Sequence, residues 1–101
     1  DLTLSEEVRL QTALDYKRTA PGAFNIPNTV RDLTPNLSHI LIPALVLWGD
    51  RDQTLAPNSF PSLLRALPNG RGQALSGGHV PHQSNPTEYD RLVMEFLKSL
   101  P

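Results

Sequence analysis

Two acids and a histidine in this sequence stand where loops should follow strands. They are Asp50 and Asp52 in Gly49-Asp50-Arg51-Asp52, and His79 in Ser76-Gly77-Gly78-His79. A carboxylate that accepts the Nδ1–H of a histidine fixes its tautomer and stabilises the imidazolium. Nε2 then takes a proton from a nucleophile or a water. Asp52 and His79 are the residues expected to form such a pair. Read singly, Asp52 would be an ordinary turn acid and His79 a structural loop histidine. It is the two together, one strand apart, that favour acid–base work. Asp50 reads as a solvated loop acid. Arg51 reads as a surface cation whose pairing with either acid would be worth little.

Metal binding is the other chemistry these residue types allow, with His79 and His82 as a pair and Asp52 as a third ligand. Ligands at that spacing usually stand on regular structure, and Pro81 between them is expected to break any helix. No metal and no cofactor is therefore expected. His82 is expected to line the mouth of the site or to meet solvent, and His39 to be structural.

The elements that must position these groups follow from local pattern. Pro43-Ala-Leu-Val-Leu-Trp48 is short and apolar without alternation, as in a strand of a parallel sheet buried on both faces. Residues 58–67 predict a helix stopped by Pro68-Asn69-Gly70. Gly72 to Ser76 is a second, weaker strand. Asn85-Pro86-Thr87-Glu88 predicts a capped helix start, with Pro at the first helical position. Tyr89, Leu92, Val93, Phe96, Leu97 and Leu100 then form one apolar stripe facing a core. The order strand–helix–strand–helix points to an α/β fold with a parallel sheet. In one such unit the C-terminal ends of both strands lie on one rim, which is where sites form. Two strands cannot make a stable parallel sheet covered on both faces, so part of the sheet is expected to be missing.

Upstream, residues 3–19 predict a helix with Thr3 and Glu6 at capping-box spacing and a loose stripe through Leu10, Ala13, Leu14 and Lys17. Ala20 to Asn28 reads as a loop, and a short helical turn is expected near Thr29 to Leu33. The opening Asp1-Leu2-Thr3, without Met, is expected of a processed product or a piece of a longer protein.

Composition narrows the class. The 101 residues bound the chain to one domain. With 39% hydrophobic and 19% charged residues it is globular rather than disordered. A net charge of −1 carries no clustered basic footprint, so a nucleic-acid partner is not expected. No apolar run approaches the ~20 residues that span a bilayer, so neither is a membrane. The absence of cysteine removes disulfides and thiol nucleophiles, and fits a cytoplasmic location.

The chemistry-bearing residues carry a resemblance. Residues 40 to 99, with IPALVLWGDRDQTLAP and then GGHVPHQSNPTEYDRLVMEFLKSL, resemble the C-terminal β-α-β-α portion of an α/β-hydrolase fold. That pattern is an apolar strand, G-x-x-D, a helix, a short strand, then G-H before a final amphipathic helix, with acid preceding histidine. The resemblance implies that Asp52 is the acid and His79 the catalytic histidine. Residues 1–40 fit as the end of a helical cap and its return linker, and 41–101 as the C-terminal part of the core. The nucleophile elbow, usually G-x-S-x-G, does not occur here, nor does an oxyanion-hole segment.

The chain is thus expected to be part of a hydrolase acting on a small-molecule substrate, and inactive alone. A serine nucleophile upstream would imply an esterase, lactonase or C–C hydrolase. An aspartate would imply an epoxide hydrolase or haloalkane dehalogenase. The alternative is an incompetent fragment, or a binding module on the same scaffold. Its expected partners are the rest of the hydrolase core or a second copy of itself.

Overall fold

A computed structural model describes residues 2–101; Asp1 lies outside the described residues. Two parallel strands, β1 (Ala44–Gly49) and β2 (Gly70–Leu75), pair in register from Ala44 opposite Gly70 to Gly49 opposite Leu75. Among the described residues they form the whole sheet, which is open and not closed. The expected strands are both present, each shifted by one or two residues.

The helix between them, α2, spans Phe60–Ala66 and is preceded by a 3₁₀ turn at Pro57–Ser59. Its Phe60 ring stacks on Trp48 of β1, with centroids 5.3 Å apart and planes 9° from parallel. The terminal helix, α4 (Pro86–Lys98), lies over the other face of β1. There Leu45 and Leu47 line a cleft with Leu92 and Phe96. Residues 45 and 47 project opposite to 48, as strand pleating requires, so β1 is covered by one helix on each side.

The coverage is thin. Among the described residues the buried apolar side chains are Leu67, Leu75 and Pro81. The stripe on α4 is less covered than its pattern predicts: Leu97 is 52% exposed and Leu100 37%. A two-stranded sheet offers too little surface to cover a 13-residue helix.

Residues 2–42 hold helix α1 (Glu6–Arg18) and two 3₁₀ turns, Pro21–Thr29 and Thr34–His39. Here four local expectations are corrected. Ser5, not Thr3, caps α1: its Oγ accepts the Val8 N–H at 3.3 Å. Residues 20–28 are largely 3₁₀ helix and not loop, because Pro21 fixes a helical φ at the first position. The turn expected at 29–33 instead lies at 34–39, where Pro35 plays the same part. Further on, Pro81 does not break a helix but starts one, α3 (Pro81–Ser84), since proline at N1 lacks only an N–H that has no helical acceptor.

No side chain of α1 is buried. Leu10, Tyr16, Phe24, Ile26 and Val30 are each more than 60% exposed. The radius of gyration, 15.6 Å, exceeds the ~13 Å of a compact chain of this size. Among the described residues no helix is long and apolar enough to cross a membrane.

Candidate active site

The most buried part of the chain is not a hydrophobic core but the rim where the two strands end. Gly49, Asp52, Gly77, Gly78 and Pro81 are all buried there, next to Leu75. The strand ladder runs on into the loops. Asp50 N–H donates to Leu75 O, and Arg51 N–H donates to Gly77 O, each at 2.9 Å. This carries the two loops side by side beyond the last paired residues. Gly49 is required at the junction. A β-carbon there would overlap the carbonyl oxygens of both Gly77 and Gly78.

The loops bring together the two residues singled out in the sequence. Nδ1 of His79 lies 3.0 Å from Oδ2 of Asp52. The other carboxylate oxygen, Oδ1, accepts two backbone hydrogen bonds, from Thr54 N–H at 2.7 Å and Leu55 N–H at 2.9 Å. The Asp52 side chain is 3% exposed and that of His79 is 42% exposed. A sealed acid thus faces a half-open imidazole.

Burial acts to raise the Asp52 pKa. The Leu55 N–H, the His79 ring, the Thr54 N–H and the His79 charge outweigh it, so the carboxyl titrates below its ordinary value. An unpaired buried carboxylate would instead take up a proton. An ionised Asp52 is an acceptor only, so at this distance Nδ1 is the donor. That selects the tautomer with Nδ1 protonated and leaves Nε2 as the basic nitrogen. His79, Arg51, Gln53 and Thr54 line a pocket of about 120 Å³.

Asp50 and Asn85 depart from expectation. Asp50 is not merely a solvated acid: its Oδ1 accepts the Gly77 N–H at 3.0 Å, across 27 positions in sequence. Arg51 lies 3.5 Å from Asp50 and donates to Ser76 Oγ at 3.2 Å. The Gly78 N–H donates to Thr3 Oγ1 at 3.1 Å, a contact spanning 75 positions that no local pattern signals. Asn85 occupies the N-cap position of α4 but makes no side-chain cap. Its Nδ2 instead donates to Ser76 O at 3.4 Å, tying the helix start to the site loop. His82 is exposed and packs against Tyr89, centroids 5.7 Å apart. His39 closes the Thr34–His39 turn.

The architecture matches a solved structure. A CIB-like hydrolase from Thermoplasma acidophilum superposes with a TM-score of 0.67 at 24% identity, over 70% of this chain and 35% of that one. The chain carries part of an α/β-hydrolase fold. No protein-family model matches it. Its sequence is 33% identical over 76 residues to protein ABHD14A of Danio rerio, covering 73% of this chain and 28% of that protein. It is 29% identical to monoacylglycerol lipase ABHD6 of Rattus norvegicus, over 67% of this chain and 20% of the lipase. It is 28% identical to 2-hydroxy-6-oxononadienedioate/2-hydroxy-6-oxononatrienedioate hydrolase 1 of Dechloromonas aromatica, over 70% of this chain and 25% of that enzyme. The chain therefore spans about a quarter of the length of the curated relatives it matches. In an α/β-hydrolase fold, a short sheet that needs further strands is what such a share supplies.

Proposed function

We propose that this chain supplies the acid and the base of a hydrolase whose nucleophile comes from outside these 101 residues. Asp52 holds His79 in the Nδ1-protonated tautomer, and Nε2 removes the proton from the nucleophile or from a water. The observation that carries this reading is the sealed carboxylate, with one oxygen on two backbone amides and the other 3.0 Å from Nδ1. A mere turn acid would be satisfied by the two amides and would not need a histidine. The names of the matched relatives, a lipase and a hydrolase, support hydrolysis as the reaction class.

The substrate is a small molecule with an ester, lactone or activated C–C bond if the nucleophile is serine. It is an epoxide or haloalkane if the nucleophile is aspartate. Residues 1–40 serve as the end of a cap over the site, and 41–101 as part of the core. The proposed step calls on no metal or cofactor. Other strands of the hydrolase core, or a second copy of the chain, pair with the outer edge of β1.

The test is turnover of an ester, epoxide and haloalkane panel by the full chain as its gene encodes it, followed by mass spectrometry of the trapped covalent intermediate. Hydrolysis lost in His79→Ala, and an adduct upstream of residue 1, are expected. Undiminished turnover in His79→Ala would sink the assignment. So would an adduct within residues 1–101.

A further inference from the structure

The Gly77-Gly78 pair that delivers His79 is the most permissive backbone in the site, because two successive glycines have little intrinsic preference among backbone conformations. Something must hold it for the ring to meet Asp52 at 3.0 Å. Gly77 is gripped at two points by the facing loop. Its carbonyl accepts the Arg51 N–H at 2.9 Å, and its own N–H donates to the Asp50 carboxylate at 3.0 Å. The first bond continues the strand ladder and depends on no side chain. The second depends on Asp50 alone.

The spacing gives this grip its meaning. Asp50 stands two residues before Asp52, and Gly77 two residues before His79. The 50–77 contact therefore fixes the register of the 52–79 contact. We infer that Asp50 is a positioning residue: by anchoring the Gly77 amide it aligns the His79 ring with the Asp52 carboxylate. Its bearing on catalysis rests on the reading of His79 as the base. Its effect on the ring does not.

Arg51 stands beside Asp50 at 3.5 Å and reaches the facing loop through Ser76 Oγ at 3.2 Å, but both contacts are exposed and neither touches the Gly77 amide. The Asp50 side chain is itself 52% exposed, so its removal opens no cavity in a core. Asparagine in its place keeps one acceptor oxygen for the Gly77 N–H, loses the charge and turns the other carboxylate oxygen into an NH₂ group.

Nuclear magnetic resonance of the isotope-labelled chain tests this without any turnover assay. In the native sequence the Gly77 amide should be protected from hydrogen exchange. The His79 Nδ1 proton should give a downfield, slowly exchanging signal. Asp50→Ala should speed exchange at Gly77 about tenfold or more, as loss of a charge-assisted bond implies. It should also broaden or erase the Nδ1 proton signal. Asp50→Asn should restore both, and Arg51→Ala should leave both unchanged.

An Nδ1 signal in Asp50→Ala identical to the native one would overturn the proposal. An asparagine variant that behaves like the alanine one would overturn it too. Should Asp50→Ala not fold, the native chain decides: a Gly77 amide exchanging at the rate of an unstructured peptide is fatal. If these results hold while His79→Ala keeps hydrolytic activity in the full chain, the proposed function falls and the positioning role stands.

Discussion

Gly49 at the end of β1 lies directly beneath the Gly78 carbonyl, with no room for a β-carbon between them. The loop bearing His79 folds down onto the strand that delivers Asp52, and only glycine allows that approach. Gly49→Ala must push the two loops apart or strain them. The expected cost is about 1–3 kcal/mol, in the range of overpacked sites. It should come with loss of the Asp52–His79 contact. Denaturant melts and the His79 Nδ1 proton signal measure the two effects. An alanine variant as stable as the native chain with the signal intact would refute the packing argument.

Asp52→Asn separates the two duties of the acid. The amide oxygen can still accept the Thr54 and Leu55 N–H bonds, so the loop is retained. Its NH₂ group, however, would face Nδ1 and favour the wrong tautomer. On the proposed function, kcat/KM of the full-length protein should fall by about 10⁴-fold, the scale known for this change in catalytic triads. A drop of less than tenfold would argue that Asp52 only shapes the loop.

The depressed pKa of Asp52 makes it a source of acid sensitivity. Burial, the largest single influence, opposes the shift, and the hydrogen bonds of Leu55, His79 and Thr54 with the His79 charge together outweigh it. In the unfolded chain the group returns to about its ordinary value of 3.8. Between the folded and unfolded values the unfolded state binds more protons, so stability rises with pH. The contribution is complete above the unfolded value and is lost as pH falls through the folded one. Melting temperatures from pH 2 to 6 should therefore drop more steeply for the native chain than for Asp52→Asn. Parallel curves would count against a coupled carboxylate.

Trp48 is the single tryptophan, and its stack on Phe60 joins β1 to α2. Phe60→Ala should cost about 2–3 kcal/mol, below the full value for a buried phenylalanine because Phe60 is half-buried. Tryptophan emission should shift to the red. Unchanged emission would mean that α2 does not pack there in solution.

Among the described residues the outer edge of β1 has no strand beside it, and Ala44 to Gly49 include no charge or proline to discourage pairing. The chain by itself should therefore show a sedimentation coefficient that rises with concentration. A monomer at all concentrations, unfolding in one cooperative step, would contradict both the bare edge and the incomplete sheet.

Much of this was legible in the sequence, for reasons that differ by element. The strand at 44–49 and the helix at 86–98 declare themselves because their side-chain periods, unbroken apolar and 3.6, are local properties. Asp52 and His79 were legible because each follows a strand of one parallel unit, and strand ends in such a unit share a rim. The role of Asp50 was not legible. Nothing adjacent to it in sequence separates an exposed turn acid from one that anchors a loop 27 positions away. Ser5 outcompeted Thr3 as the cap of α1, while Thr3 went to the Gly78 amide. Capping patterns register residue type and spacing, and several neighbouring hydroxyls satisfy them equally.

The sequence by itself determined which residue types could do the proposed chemistry and which elements carry them, because propensity, periodicity and turn chemistry act over a few residues. The tertiary structure alone decided the rest: that Asp52 is sealed while His79 stays half open, that Asp50 holds Gly77, and that Gly49 must be bare. Each of these is a contact between the two loops, and its strength depends on distance and exclusion of water. Neither quantity exists until the parallel pairing of β1 and β2 lays one loop against the other.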